Sequence, residues 1–561
     1  MYGAQLLINL LEDAQVDTIF GYPGGAVLPV YDALYDCETI KHILVRHEQA
    51  AVHAADGYAR VSGKTGVALV TSGPGATNTI TGIATAYMDS VPLVVLTGQV
   101  PTKLLGLDSF QEVDIFRMTM SITKHNFMVM DVKDLPRIVK EAFHIAKTGR
   151  PGPVLIDLPK DIMTAQFTGE HVNPRNEIPF IQGYEFERTI SEQELEIASR
   201  QLAGAKQPVL LIGGGCIHGN SPSLLRELID RYHLPVASTL MGLGVIPANH
   251  PSFLGMIGMH GTVAANRAIH EADVLICLGM RFSDRVTGDK KTFSPKSFKI
   301  QVDIDEAELN KNIAVDLAVC GSVEEMLHGL LDQVPPKVHH DWHEKIQKWS
   351  KQAPAYKQKQ EQLLTPQEVI RMIDQETEMD AVIVTDVGQH QIWTAHHYHH
   401  TKPRSFLTSG GLGTMGYGFP AAIGAAVACP NRQIICISGD GSFQMNMQEI
   451  MTAVDLQLNV KVAILKNGYL GMVRQWQQLF LNHRYSAVRI TSPDYASLAQ
   501  SFGASGFSTN SLHEAKDLIQ TALQMEGPVI MEFEVIEEAN VYPIVPPGES
   551  NQEMIQEESY K

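Results

Sequence analysis

The sequence predicts an α/β protein of three doubly wound parallel-sheet domains, and three observations lead there. Short apolar runs recur at 67–70, 93–96, 154–156, 209–212, 274–278, 300–304, 381–384, 434–437, 460–465 and 529–533, with helical patterns between them. Runs of this kind are strands covered on both faces, and helices between them make neighbouring strands parallel. Two polar stretches of weak periodicity, 169–188 and 337–362, cut the chain into three. Finally, 67–75 and 434–441 both read as a strand followed by Ser, Gly, any residue and Gly, so the first and third domains are expected to share a fold.

The expected limits are 1–168, 189–336 and 363–545, with a tail at 546–561. A chain of 561 residues exceeds what one hydrophobic core organises. A formal net charge of -18 argues against nucleic-acid and anionic-membrane partners, which require a basic face. Any bound phosphate must then be held locally by a cation, backbone amides or a few placed basic residues. Cys37, Cys216, Cys277, Cys320, Cys429 and Cys436 are dispersed and form no C-x-x-C pair, which fits a reducing compartment. Residues 1–7 lack a basic region leading into an apolar core. The expectation is a cytoplasmic protein with no membrane segment.

In the first domain Glu48 reads as a helix-start carboxylate favoured by the dipole. The alanines after it, Ala50, Ala51, Ala54, Ala55 and Ala59, suggest a helix packed closely, as at an interface. The second domain places Gly213-Gly214-Gly215 directly after one strand and Asp303 at the end of another. That is the logic of dinucleotide binding, although the spacing is not that of the standard fingerprint. In the third domain His390, His396, His397, His399 and His400 form a histidine-rich tract, read as a polar surface segment in preference to a metal trap.

The third domain also carries the most specific local signal. Asp440 stands between Gly439 and Gly441 at the end of one apolar run, and Asn467 ends the next, with a helical pattern at 448–454 between them. A strand-helix-strand crossover makes the two strands parallel neighbours about 5 Å apart. Both oxygen donors then meet at the carboxyl edge, where open α/β sheets bind ligands. Two hard donors suit Mg²⁺, which takes one or two protein ligands and completes its shell with phosphates and water. The glycines allow backbone amides to approach a phosphate. The competing reading of Gly-Asp-Gly is a plain turn.

Gly439-Asp440-Gly441, with Asn467 27 positions past the aspartate, resembles the diphosphate and Mg²⁺ motif of thiamine-diphosphate enzymes. Tyr22-Pro23-Gly24-Gly25-Ala26, Arg46-His47-Glu48-Gln49-Ala50-Ala51, Gly411-Leu412-Gly413-Thr414-Met415-Gly416 and Gly468-Tyr469-Leu470-Gly471-Met472-Val473-Arg474-Gln475-Trp476 narrow the likeness. They resemble the catalytic (large) subunits of the acetohydroxyacid synthase (acetolactate synthase) family through nearly the whole chain. The resemblance implies the three-domain architecture of thiamine-diphosphate enzymes, with pyrimidine-, FAD- and diphosphate-binding domains. It also implies a homodimer or higher assembly with shared active sites, and it allows for a small regulatory subunit.

The implied reaction decarboxylates pyruvate and ligates the two-carbon unit to a second pyruvate, giving 2-acetolactate, or to 2-ketobutyrate, giving 2-aceto-2-hydroxybutyrate. This is the first common step of branched-chain amino-acid biosynthesis. By the same resemblance Glu48 protonates the cofactor's aminopyrimidine ring, Met415 props the cofactor in its bent shape, and Gly25, Gln111 and Lys160 complete the catalytic set. Val387, Gly388, Gln389, His390, Gly413, Ser442, Leu470, Gly471, Met472 and Val473 join Asp440, Gly441, Asn467 and Tyr469 around thiamine diphosphate. Asp440, Asn467 and the Tyr469 carbonyl are the implied Mg²⁺ ligands. FAD is matched to Arg150, Gly213, Gly214, Gly215, Thr239, Leu240, Met259, His260, Gly279, Arg281, Asp284, Arg285, Asp303 and Ile304. Arg285, Trp476 and Phe110 are matched to substrate, Arg285 for the acceptor carboxylate and Trp476 for a preference towards 2-ketobutyrate.

Departures from the family pattern are Lys466, usually Asn, and Ser283 and Ser322, usually acids. Altered hydrogen bonding is expected near Lys466, and a weaker hold on FAD near the serines. Two alternatives stand beside the carboligase: another thiamine-diphosphate 2-ketoacid decarboxylase or oxidase, and an inactive paralogue serving as an assembly partner. The joint presence of Glu48, Asp440, Asn467 and Met415 speaks against the second.

Overall fold

The computed structural model describes residues 1–169, 181–184, 188–352 and 364–557. Three six-stranded, wholly parallel sheets follow one another along the chain. The first contains β1 (Thr18–Tyr22), β2 (Lys41–Leu44), β3 (Gly66–Val70), β4 (Leu93–Gln99), β5 (His125–Met128) and β6 (Pro153–Pro159), ordered β2-β1-β3-β4-β6-β5. The second contains β7 (Pro208–Ile212), β8 (Val236–Ser238), β9 (Phe253–Met256), β10 (Val274–Leu278), β11 (Phe298–Asp303) and β12 (Leu317–Cys320), ordered β12-β11-β10-β7-β8-β9. The third contains β13 (Val382–Thr385), β14 (Phe406–Leu407), β15 (Ile434–Gly439), β16 (Val460–Lys466), β17 (Ser505–Thr509) and β18 (Val529–Glu534), ordered β14-β13-β15-β16-β18-β17.

Counted from each sheet's first strand, the first and third orders are both 2-1-3-4-6-5, so the internal echo in the sequence does mark a repeated fold. The second sheet reads 3-2-1-4-5-6 from its other edge, the dinucleotide-binding order, whose direction reverses beside its first strand. Central strands such as β3, β4, β6, β7, β10 and β13 are buried at every position. That is why each reads as an unbroken apolar run.

The helix Glu48–Ser62 begins with His47 accepting the Gln49 amide and ends on Gly63, whose φ of 75° needs no strain only because it is glycine. Its alanine face lies on the helix Gly418–Ala428. A Cβ added at Gly57 would stand 2.1 Å from the Ala421 carbonyl oxygen, and one at Gly424 would stand 1.8 Å from that of Ala54. Small residues thus let the two backbones touch and join the first domain to the third. Arg60 completes this junction by pairing with Asp56 at 2.6 Å and Asp89 at 2.9 Å, while Tyr417 donates to Asp56 at 2.7 Å. Asp89 in turn accepts the amides of Gly410 and Gly411, anchoring the loop that leads to Met415.

Two readings need correction. Most of the stretch 169–188, and all of 353–362, lies outside the described residues, but 340–352 is not pattern-poor. It forms the helix His340–Gln352, whose Trp342, Ile346 and Trp349 recur at helical spacing and bury against the second domain. The histidine tract is not a surface segment either. Its first part is the helix Gln389–His397, His390 and His400 are buried, and among the described residues no cluster of His, Cys, Asp and Glu could hold a metal ion. The tail expected at 546–561 contacts the second domain, where Asn551 donates to the Val286 carbonyl, and Ile555 pairs with Ile544 at the end of the third. All six cysteines are free, and no helix among the described residues is long and apolar enough to cross a membrane.

Candidate active site

β15 and β16 are adjacent and parallel, with Gly439 paired to Leu465. Asp440 and Asn467 therefore leave the sheet together at its carboxyl edge, as the crossover spacing predicts. They line one pocket with Val387, Gly388, Gln389, His390, Met415, Gly441, Ser442, Tyr469, Leu470, Gly471, Met472 and Val473. Of the residues matched to thiamine diphosphate, only Gly413 is not on its wall, and a Cβ there would come 4.0 Å from Val387 Cγ1.

The Asp440 carboxylate is buried. Its Oδ2 accepts the Gly468 amide at 2.9 Å and the Ser492 hydroxyl at 3.3 Å, and its Oδ1 accepts the Gly441 amide at 3.1 Å. Burial raises its pKa above the usual carboxylate range, while these N–H and O–H donors pull it down. Gly468 has φ +69° and turns the chain so that its amide faces this oxygen. The following turn is clipped to 488–490, where Leu470 donates to the Val488 carbonyl and Ile490 to that of Gly468.

Several buried polar atoms around the pocket have no hydrogen-bond partner among the described residues: His390 Nε2, Gln389 Oε1 and Trp393 Nε1. Burial pushes the His390 imidazole down to about 3, so it is neutral. A Cβ at Gly471 would stand 2.1 Å from Gln389 Oε1, so the backbone here lies bare beside that amide. Unsatisfied buried groups call for a partner, and a polar, glycine-lined cradle fits a diphosphate with its divalent ion. The donor set of one carboxylate, one carboxamide and main-chain carbonyls suits Mg²⁺.

Sequence reasoning missed Trp393, Leu465 and Val535, which also line the pocket. Trp393 lies one helical turn past Gln389, and that periodicity was the available signal. It also missed Asp386, whose buried carboxylate accepts the amides of Val387 at 2.8 Å, Gly416 at 2.9 Å and Gly418 at 3.0 Å. This residue fastens the Met415 loop to the Val387–Gly388 turn. Burial raises its pKa to about 6.

The remaining matched residues lie elsewhere. Glu48, Gly25, Gln111 and Lys160 collect at the carboxyl edge of the first sheet and do not line the pocket. Glu48 is half-buried and accepts Asn78 Nδ2 at 2.8 Å. Gln111 lies 2.9 Å from where a Gly73 Cβ would be, and Gly25 faces open space. Phe110 is 89% exposed. Arg285 and Trp476, from different domains, do meet, with the guanidinium carbon 5.6 Å from the indole centre. The helix Gly471–Phe480 that carries Trp476 is stapled at its base, where Arg474 donates to the Ala539 carbonyl and Gln475 both donates to and accepts from Val541.

In the second domain the matched residues follow the strand ends in turn. Gly213, Gly214 and Gly215 follow β7, Thr239 and Leu240 follow β8, Met259 and His260 come after β9, Gly279 and Arg281 follow β10, and Asp303 and Ile304 close β11. Asp284 and Arg285 open the next short helix and pair with each other at 2.7 Å. The glycine turn sits where the strand order reverses, and a Cβ at Gly213 would stand 2.5 Å from the Gly279 carbonyl oxygen. Arg281 is half-buried with no ion pair among the described residues, and His260 Nδ1 is buried without a partner. Arg150 reaches this edge through Asp305 and Glu308. A guanidinium without an ion pair beside a bare glycine turn fits an anionic dinucleotide. Ser322 caps the helix Val323–Gln333, accepting the Glu324 amide, and Ser283 stands at the N-terminus of Asp284–Thr287.

Comparison with known proteins yields three family models along the chain: the thiamine pyrophosphate enzyme N-terminal TPP binding domain at 1–118, the central domain at 195–330 and the C-terminal TPP binding domain at 386–533. The acetolactate synthase isozyme 2 large subunit of Escherichia coli (strain K12) is 46% identical over 99% of this chain and 100% of its own length. The acetolactate synthase large subunit of Pyropia yezoensis is 47% identical over 99% of this chain and 95% of its own. A probable acetolactate synthase large subunit of Methanocaldococcus jannaschii is 46% identical over 98% and 94%.

Proposed function

Since this chain belongs to the acetolactate synthase large-subunit family of thiamine pyrophosphate enzymes, we propose that it joins pyruvate, with loss of CO₂, to a second 2-ketoacid at the pocket around Asp440. The observation that carries this reading is the convergence of Asp440 and Asn467 at neighbouring strand ends, inside a buried cradle of unsatisfied polar atoms. Asp440, Asn467 and the Tyr469 carbonyl would hold Mg²⁺, and Gly388, His390 and Ser442 would contact the diphosphate. Bound there, thiamine diphosphate would supply the nucleophilic carbon and the electron sink that decarboxylation and ligation both need.

The protein's own residues do the positioning. Met415, held by the Asp386 and Asp89 anchors on its loop, would support the cofactor. Glu48 would hold and release a proton at the aminopyrimidine nitrogen, with Asn78 orienting its carboxylate. Because Glu48 lies outside the pocket of its own chain, we propose that two copies share each site, one supplying Glu48 with Gly25, Gln111 and Lys160 and the other supplying Asp440. Assembly with a small regulatory subunit is proposed from the "large subunit" names of the relatives. The free cysteines support a reducing, cytoplasmic setting. The direct test is product analysis with pyruvate in the presence of both cofactors.

Trp476 and Arg285 are proposed to form the acceptor subsite, the guanidinium holding the carboxylate and the indole covering the alkyl chain. One methylene separates 2-ketobutyrate from pyruvate, and such a contact is worth roughly 1 to 3 kcal/mol, or about 10- to 200-fold in selectivity. Trp476→Leu is therefore expected to erode the preference for 2-ketobutyrate while leaving acetolactate formation from pyruvate alone largely intact. A mixed-substrate product ratio, read beside the melting temperature, checks this. An unchanged ratio with a large fall in melting temperature would make Trp476 a packing residue.

FAD is proposed for the carboxyl edge of the second sheet, without a part in net redox chemistry. Purified protein is expected to be yellow, or to become so on adding FAD, and to keep its colour through turnover. A colourless, fully active enzyme indifferent to FAD would remove the flavin from this domain.

A further inference from the structure

Strand β16 ends on Lys466 and Asn467 follows it, so a cation directly precedes a proposed metal ligand. Its side chain is not on the pocket wall. Lys466 Nζ donates to Glu532 Oε1 at 2.8 Å and to the Pro493 carbonyl at 3.4 Å, and lies 6.0 Å from the Tyr495 ring centre. Glu532 stands on the neighbouring strand β18 and is 2% exposed. Ser508 donates to the same oxygen at 3.3 Å, and the backbone amide of Tyr495 donates to the other at 2.7 Å. The Tyr495 side chain, fully buried, then donates its hydroxyl to the main-chain carbonyl of Asp440 at 2.7 Å.

One buried carboxylate thus reaches both strand ends, Asn467 through its neighbour Lys466 and Asp440 through Tyr495. We propose that Glu532, neutralised by Lys466, is a positioning residue for the Mg²⁺ edge and sets the separation of Asp440 and Asn467 before metal arrives. This inference rests on the metal site proposed above. A buried carboxylate stripped of its cation is strongly unfavourable, whereas here it is saturated by an ammonium, an amide and a hydroxyl. While residue 532 is an anion, the lysine has a task that a neutral residue at 466 could not perform.

The test uses the full chain and its Glu532→Gln, Lys466→Met, Tyr495→Phe and Glu532→Gln/Lys466→Met variants. Calorimetry measures thiamine diphosphate binding across a series of Mg²⁺ concentrations, and melting is followed without either. Tyr495→Phe, which deletes one hydroxyl and keeps the ring, is expected to raise the half-saturating Mg²⁺ concentration about tenfold, the scale of one lost hydrogen bond. Glu532→Gln and Lys466→Met are each expected to raise it at least as much, and the double variant to recover most of the loss because neither charge is left alone. At saturating Mg²⁺ the turnover of Tyr495→Phe should match that of the unaltered chain. Wild-type Mg²⁺ dependence in Tyr495→Phe and Glu532→Gln, with only the melting temperature lowered, would make the pair structural and overturn the proposal. Asp440→Ala separates the two readings: if it loses binding while those variants do not shift, the positioning role alone fails, and if it binds normally, the metal site itself fails.

Discussion

Asp440→Ala is expected to abolish Mg²⁺-dependent binding of thiamine diphosphate, with an affinity loss of at least about 10²-fold, since even supporting partners of a metal ligand are commonly worth 10- to 100-fold. Asp440 is the one anion among the three proposed ligands. Asn467 and the Tyr469 carbonyl are neutral and cannot offset a divalent charge next to a diphosphate, so activity should not return at saturating cofactor. The fold should survive. The carboxylate is 1% exposed, burial raises its pKa, and removing a desolvated charge relieves a penalty as well as deleting hydrogen bonds. The cofactor-free melting temperature is therefore expected to stay near that of the parent. Calorimetry showing unchanged cofactor affinity would mean that the two strand ends do not hold the ion.

Glu48→Gln is expected to keep fold and cofactor affinity and to lose most turnover. The amide has the same shape, and its oxygen can still accept the Asn78 donor that now holds Glu48 Oε2 at 2.8 Å. It cannot give up or take back a proton at neutral pH, and general acid or base roles are commonly worth on the order of 10² to 10⁴ in rate. The helix Glu48–Ser62 loses one favourable first-turn charge, a surface effect of roughly 0.3–1 kcal/mol, too small to unfold a chain whose helix is buried along its whole alanine face. Near-normal acetolactate formation by this variant, measured with saturating cofactors, would exclude Glu48 from the proton transfer.

What was legible in the sequence follows the physics of burial. Every apolar run picked out is a strand, because a central parallel strand such as β4 or β10 has both faces covered. The strands that escaped notice include all six sheet edges: β2, β5, β9, β12, β14 and β17. An edge strand like Lys41–Leu44 is half-solvated and carries polar residues, so it makes no run. β1, with a glycine, and the three-residue β8 fail for want of length and side chains.

The candidate site shows the same division. Asp440 and Asn467 could be found because they end two long runs, and the residues around them because they lie in contiguous motifs. Trp393 stands one helical turn beyond the matched segment 387–390, and Val535 follows a strand that carries no motif. Glu532 was invisible for another reason: its meaning depends on Lys466, two positions off its register partner on the adjoining strand, and on Tyr495, 37 residues away. The Trp342, Ile346 and Trp349 seam was masked by the His and Lys residues filling the helix's outer face.

The measurement closest to the central claim is product analysis of the purified chain incubated with pyruvate, alone and with 2-ketobutyrate, in the presence of thiamine diphosphate, Mg²⁺ and FAD. The account predicts CO₂ release with 2-acetolactate from pyruvate alone, and 2-aceto-2-hydroxybutyrate when 2-ketobutyrate is added. Acetaldehyde or acetate as the main product, or no consumption of pyruvate at all, would contradict it.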